Sequence, residues 1–264
     1  MSLAKALPIL MYHHVSPAPG LVTVSPEIFR DHIATLARAG WRSAGASEIE
    51  GFFTGKPVPP RTCVITFDDG YLDNFIYAHP VLAEFGMMAV LFIVTGWIGD
   101  GVVRSRMVAA DHNRCKALIG VGESDAVMLR WSEIEAMKSA GTFEFHSHTH
   151  SHTRWDREIV DPANRAERLS DDLKESRRVL QVRLGQVSRH LCWPQGYYDE
   201  AYVGVAVATG FDHLYTTHSR INTPARDTHH IGRFVTKARP GSWVLSRTGI
   251  YSRPLLGRLY SRLH

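Results

Sequence analysis

The chain has 264 residues, 44% of them hydrophobic, enough for one sizeable core. Thirty Lys and Arg against 26 Asp and Glu leave a formal charge of +4, too mild to argue for nucleic acid. No stretch is long and apolar enough to span a bilayer, and three widely spaced cysteines (Cys63, Cys115, Cys192) suggest neither a disulfide framework nor a thiolate zinc site.

The start, MSLAKALPILMYHHV, lacks the features of a secretory signal. Its apolar part, LPILMY (7–12), reads as a strand ending at His13-His14. The expectation is a cytoplasmic protein working at the inner face of the membrane; a signal already removed before MSL is the other option. Ser25-Pro26 predicts a helix start, with Ile33, Leu36 and Ala37 at helical spacing. TCVITF (62–67) reads as a buried strand that runs into Asp68-Asp69-Gly70, with Asp73 available to cap the next helix. AVLFIV (89–94) is a third strand. Residues 99–128 fit neither period and read as an inserted loop over one end of the fold.

Ser132 and Glu135 have capping-box spacing, and Gly141 stops that helix. TFEF (142–145) is a strand leading into HSHTHSHT. Asp161-Pro162 opens a long helix with Leu169, Leu173, Leu180 and Leu184 on one face, ended by Gly185. HLCW (190–193), HLYT (213–216) and HIGRFV (230–235) are the remaining strands, with a helix from Asp199 to Gly210 between the first two. Seven strand–helix units predict an α/β fold: one distorted (β/α)7-type barrel over residues 1–240. Residues 241–264 mix Leu and Tyr with Arg247, Arg253, Arg258 and Arg262. They read as a basic amphipathic tail, either a helix packed on the barrel or a peripheral membrane contact.

Active sites of parallel barrels lie at the C-terminal ends of strands, where Asp68 and Asp69 fall. Two adjacent carboxylates repel each other; a bound cation would keep one as a ligand and leave the other as a base. In HSHTHSHT the histidines occupy even positions, so an extended chain turns all four to one side. In a helical turn, His146 would neighbour His150 and His148 would neighbour His152. Either pair could chelate one ion with Asp69 and leave positions open for water and substrate. His13 and His14 stand at the same kind of strand end.

TFDDGY with Asp73-Asn74, then AVLFIV, LRWSEIEAMKSAGTFEFHSHTHSH and CWPQGYYD, resembles the NodB-type polysaccharide deacetylases, the family 4 carbohydrate esterases. The resemblance covers about residues 7–236. PILMYHHV is similar to the circularly permuted branch that includes poly-N-acetylglucosamine deacetylases, in which the family's late histidine motif sits on the first strand. Aligned on Glu144-Phe145, the resemblance implies that Asp69, His148 and His152 bind the metal, that Asp68 is the catalytic base and that His13 is the catalytic acid. The pair His146/His150 remains the rival. The backbone N–H of Gln195 would hold the oxyanion, and Trp193 would either wall the sugar site or belong to the core. Many members carry an arginine where Cys192 stands, so Arg233 is expected to orient Asp68 instead.

The function implied is metal-dependent N-deacetylation of an N-acetylhexosamine in a bacterial glycan, lipopolysaccharide or lipid-linked sugar. One divalent ion is expected, zinc by default for Asp/His2 donors, with cobalt, nickel or iron also suited. The alternatives are a sugar-formamide deformylase with the same site, a catalytically silent sugar-binding barrel, and a closed structural-metal site.

Overall fold

The computed structural model describes residues 3–185, 187–224 and 226–263, the last three by backbone only. Among them, seven parallel strands form the barrel: β1 (Ile9–Tyr12), β2 (Thr62–Asp69), β3 (Ala89–Ile93), β4 (Phe143–Ser147), β5 (His190–Cys192), β6 (His213–Tyr215) and β7 (Phe234–Val235). Their spatial order is β7-β1-β2-β3-β4-β5-β6, and a two-residue strand, Arg42–Ser43, pairs with the start of β2. The last seam is narrow. A single bridge, Tyr215 with Ile231, joins β6 to the segment leading into β7. HIGRFV is therefore not one strand: Thr228–His230 is a 3-10 turn, and only Phe234–Val235 pairs with β1.

The strands are apolar on both faces because both are covered. Ile9, Val64, Val90, Phe92, Cys192, Tyr215 and Ile231 fill the barrel, and the helix Ala46–Phe53 plugs its N-terminal end with Ile49, Phe52 and Phe53. Tyr12, Ile65, Phe67, Leu91 and Phe145 face outward onto helices such as Pro26–Arg38 and Trp131–Ser139. The plug helix escapes sequence reading: it spans eight residues and starts at Gly45 without a side-chain cap.

Three predicted caps are present. Ser25 accepts from the Ile28 N–H, Asp161 from Asn164 and Asp199 from Tyr202. Two are not. The helix expected to start at Ser132 begins at Trp131, and Glu133 reaches back to the Arg130 N–H at 2.8 Å. Asp73 caps nothing, because its carboxylate is taken by His14 Nδ1 at 2.6 Å and by the Asn74 side chain at 2.8 Å.

The tail divides in two. Helix Gly241–Tyr251 packs on Pro26–Arg38, and Gly241 is needed there because a Cβ would lie 2.4 Å from Thr35 Oγ1. Helix Pro254–Leu263 leaves Leu255, Leu256 and Leu259 exposed. No helix of the described residues is long and apolar enough to cross a membrane.

Candidate active site

Consecutive strand residues point to opposite faces, yet Asp68 and Asp69 both line one cavity. The break comes at Asp69, whose φ of 76° is left-handed. Gly70 follows at φ 94°, where a Cβ would approach Ile93 to 3.0 Å. A non-glycine residue in this region costs about 1–3 kcal/mol, so the rest of the site must hold the turn.

Past Ser147, where β4 ends, the histidine segment is neither extended nor helical. Thr149 and His152 adopt φ 67° and 59°, and the turn is closed by the Thr149 N–H donating to Ser147 Oγ and the His152 N–H donating to Thr149 Oγ1. Asp172, buried on helix Pro162–Leu184, accepts from the N–H groups of His150 and Ser151, from Ser151 Oγ and from Trp155 Nε1, all within 3.0 Å. This folding separates the two candidate pairs. His148 Nε2 lies 3.3 Å and His152 Nε2 3.5 Å from Asp69 Oδ1. His146 instead turns to Ser188 at 2.9 Å, and His150 to Thr95 at 3.0 Å. The rival pair is thus not assembled, and the four imidazoles do not share one side.

Asp69, His148 and His152 can hold a metal ion. One donor atom from each lies within 4.8 Å of the others. His148 Nδ1–H donates to the Cys192 carbonyl at 2.7 Å, which turns Nε2 toward Asp69. Separations of 3.3 and 3.5 Å match the roughly 3.3 Å edge of a tetrahedron with metal–ligand bonds near 2.0 Å. Burial pushes His152 down to about 4, so its imidazole is neutral at pH 7. A second triad, Asp68, His148 and Cys192, shares His148 but is already engaged elsewhere.

That engagement is with Arg233. Its guanidinium is buried and grips Asp68 at both oxygens, 2.6 and 2.8 Å, while also donating to Thr66 Oγ1, the Thr216 carbonyl and Cys192 Sγ. Burial opposes charge on both aspartates, yet both stay below the ordinary carboxylate range. The charge and hydrogen bonds of Arg233 outweigh burial at Asp68; the His148 hydrogen bond and the field of His152 do so at Asp69. His13 Nε2 stands 3.7 Å from Asp68, with burial pushing the imidazole below its usual value against the pull of Asp68 and Asp69. His14 faces away: it is buried, stacked on Tyr71 at 3.7 Å and bound to Asp73.

These groups line a cavity of about 310 Å³. Gln195 and Gly196 form part of its wall, Gln195 with φ 54°. Trp193 borders it too, but is 1% exposed and stacked on Tyr198, so most of its ring is core. Trp97, half-buried and 5.0 Å from the His152 ring, is an aromatic wall that sequence reading missed. The inserted segment contributes His112 and Lys116 from helix His112–Gly120. Asp172 was also missed, since nothing local distinguishes it from other helical acids. Asp172→Asn is expected to weaken zinc retention by about 10–100-fold through loss of loop order; equilibrium dialysis checks this, and unchanged affinity would refute it.

The polysaccharide deacetylase family model matches residues 55–214. A poly-beta-1,6-N-acetyl-D-glucosamine N-deacetylase of Staphylococcus epidermidis is 25% identical over 186 residues, 67% of this chain and 55% of that protein. The chain spans at most about half the length of the curated relatives it matches. Among solved structures, IcaB from Ammonifex degensii has a TM-score of 0.75 at 21% identity, covering 95% of this chain and 99% of that one. The Streptococcus pyogenes deacetylase PplD in complex with acetate gives 0.73 at 21% identity, covering 91% and 97%. These likenesses establish the barrel over nearly the whole chain, and since the family model spans more than half of it, the chain belongs to the polysaccharide deacetylase family.

Proposed function

We propose that this protein is a metal-dependent N-deacetylase that hydrolyses the acetamide of an N-acetylhexosamine within a glycan or glycolipid. The observation that carries the reading is three protein donors grouped at a barrel mouth beside a second carboxylate that Arg233 grips at both oxygens. A structural site would need a fourth protein donor there, and His146 and His150 are turned elsewhere. A silent sugar-binding barrel would not need the Asp68–Arg233 clamp. The Staphylococcus relative is named for a glucosamine polymer, which favours that class of substrate.

Asp69, His148 and His152 would hold the metal, zinc by donor type. The chemistry supplied there is polarisation of the acyl oxygen and a lowered water pKa. Asp68, ionised and fixed by Arg233, accepts the proton as water adds to the acyl carbon. The backbone N–H of Gln195 donates to the developing oxyanion. His13, as imidazolium, protonates the amine as the C–N bond breaks, giving acetate and a free amino sugar. Trp97 and Trp193 border the sugar.

Release of acetate against formate from polymeric and lipid-linked hexosamines, with Asp68→Asn as control, tests the reading. Formate alone would make the protein a deformylase, and no release from zinc-loaded protein would end the proposal. His13→Ala is expected to lower kcat by about 10²–10⁴-fold. It should also remove the limb on which the rate falls with rising pH, since that limb reports loss of the His13 proton; a retained limb in pH–rate profiles would reassign the acid. A lipid-linked substrate would be met at a membrane, where the exposed Leu255 and Leu259 supply apolar contact. Co-sedimentation with anionic vesicles, lost in Leu255→Glu/Leu259→Glu, checks this, and binding unaffected by that change would refute it.

A further inference from the structure

At the N-terminal end of the barrel, beneath the plug helix, lies a second group of donors that the reaction does not use. His190 and His213 are the first residues of β5 and β6 and are register partners, their rings stacked at 4.7 Å. Glu50 reaches them from the plug helix, with Oε1 3.0 Å from His190 Nε2. One donor atom from each of the three lies within 4.8 Å of the others. Their chain positions, 140 residues apart between Glu50 and His190, make this a product of the fold rather than of a local turn.

We propose that Glu50, His190 and His213 bind a second divalent cation, zinc by donor type, distinct from the one at the pocket.

Three observations support it. His213 is 6% exposed; its Nδ1 is taken by Asp212 at 2.6 Å, and its Nε2 is buried without a hydrogen-bond partner. A carboxylate on one ring nitrogen with the other left bare is how metal-binding imidazoles are oriented. His146 repeats the pattern nearby. Its Nδ1 meets Ser188, its Nε2 is buried and unpartnered, and its ring lies 4.6 Å from that of His190. Buried polar atoms are seldom left without a partner, so two in one cluster point to a missing positive group. The surrounding charges favour a cation: Glu50, Glu144 and Asp212 face the cluster, while Arg189 is engaged by Asp212.

Glu50 is the outermost donor, its side chain 36% exposed, and gives the ion a way in. Such an ion would tie the plug helix to β5 and β6 and would take no part in turnover.

The test is zinc content of the full chain, reconstituted with zinc alone, dialysed and measured by atomic emission. Two equivalents are expected in the wild type, one in Asp69→Asn, one in His213→Gln and none in the double variant. His213→Gln retaining the wild-type content overturns the proposal, as does Asp69→Asn retaining none. If Asp69→Asn changes nothing while His213→Gln loses an equivalent, this proposal stands and the catalytic-metal reading fails. Should His213→Gln not fold by circular dichroism, Glu50→Gln gives the same answer, and full zinc retention in that variant overturns the proposal equally.

Discussion

Arg233→Ala is expected to destabilise the protein by about 3–5 kcal/mol at pH 7, because it strands a carboxylate in the barrel. Asp68 is 2% exposed, and two of the five contacts that the guanidinium makes are to its oxygens. The pH dependence gives the test its sign. In the wild type, Asp68 titrates below its unfolded value, so its contribution is complete above about 3.9 and is lost as pH falls through the lower, folded value. Without Arg233, only the weaker fields of His13 and His148 oppose burial, which lifts the carboxyl, so the variant gains stability relative to wild type as pH falls from 7. Urea denaturation at pH 7 and pH 5 checks this. An equal gap at both values would show that the loss comes from packing alone.

Asp68→Asn is expected to lower kcat by about 10²–10⁴-fold while leaving the zinc content of the mouth unchanged. Asparagine keeps the shape and one acceptor for Arg233 but cannot take a proton from water. Its neighbour should behave differently: Asp69→Asn removes a ligand and should lose the metal. The two adjacent residues thus separate base from ligand in one pair of variants, read by turnover and metal analysis. Full turnover in Asp68→Asn would remove it from the proposed base role. Asparagine also leaves the guanidinium without its counter-charge, so both measurements belong on protein whose folding has been verified by circular dichroism.

The parallel strands were legible because each is an apolar run covered on both faces, and the long helix because Asp161-Pro162 and Gly185 mark its ends. Asp68, Asp69, His148 and His152 were legible as residue types at a strand end. Which of the histidines face Asp69 was not a property of the local chain. It depends on left-handed turns at Thr149 and His152 that Asp172 secures from another helix. Periodicity could offer only extended or helical, and the segment is neither. The partnership of Arg233 with Asp68 spans 165 residues, and its expectation rested on the family resemblance, in which Cys192 stands where many members carry the orienting arginine; the structure places them in bidentate contact. The short plug helix, with no cap and Gly51 inside it, gave neither a boundary nor a period.

The narrow join between β6 and the segment before β7 has a kinetic consequence. Its backbone links are few: Thr216 N–H to the Ile231 carbonyl, Ile231 N–H to Leu214 and Arg233 N–H to His218. Amides there should exchange with deuterium sooner than those of β2 and β3, which pair on both sides. Arg233 rides on this join, so a parting of the staves there would draw its guanidinium away from the buried Asp68 carboxylate.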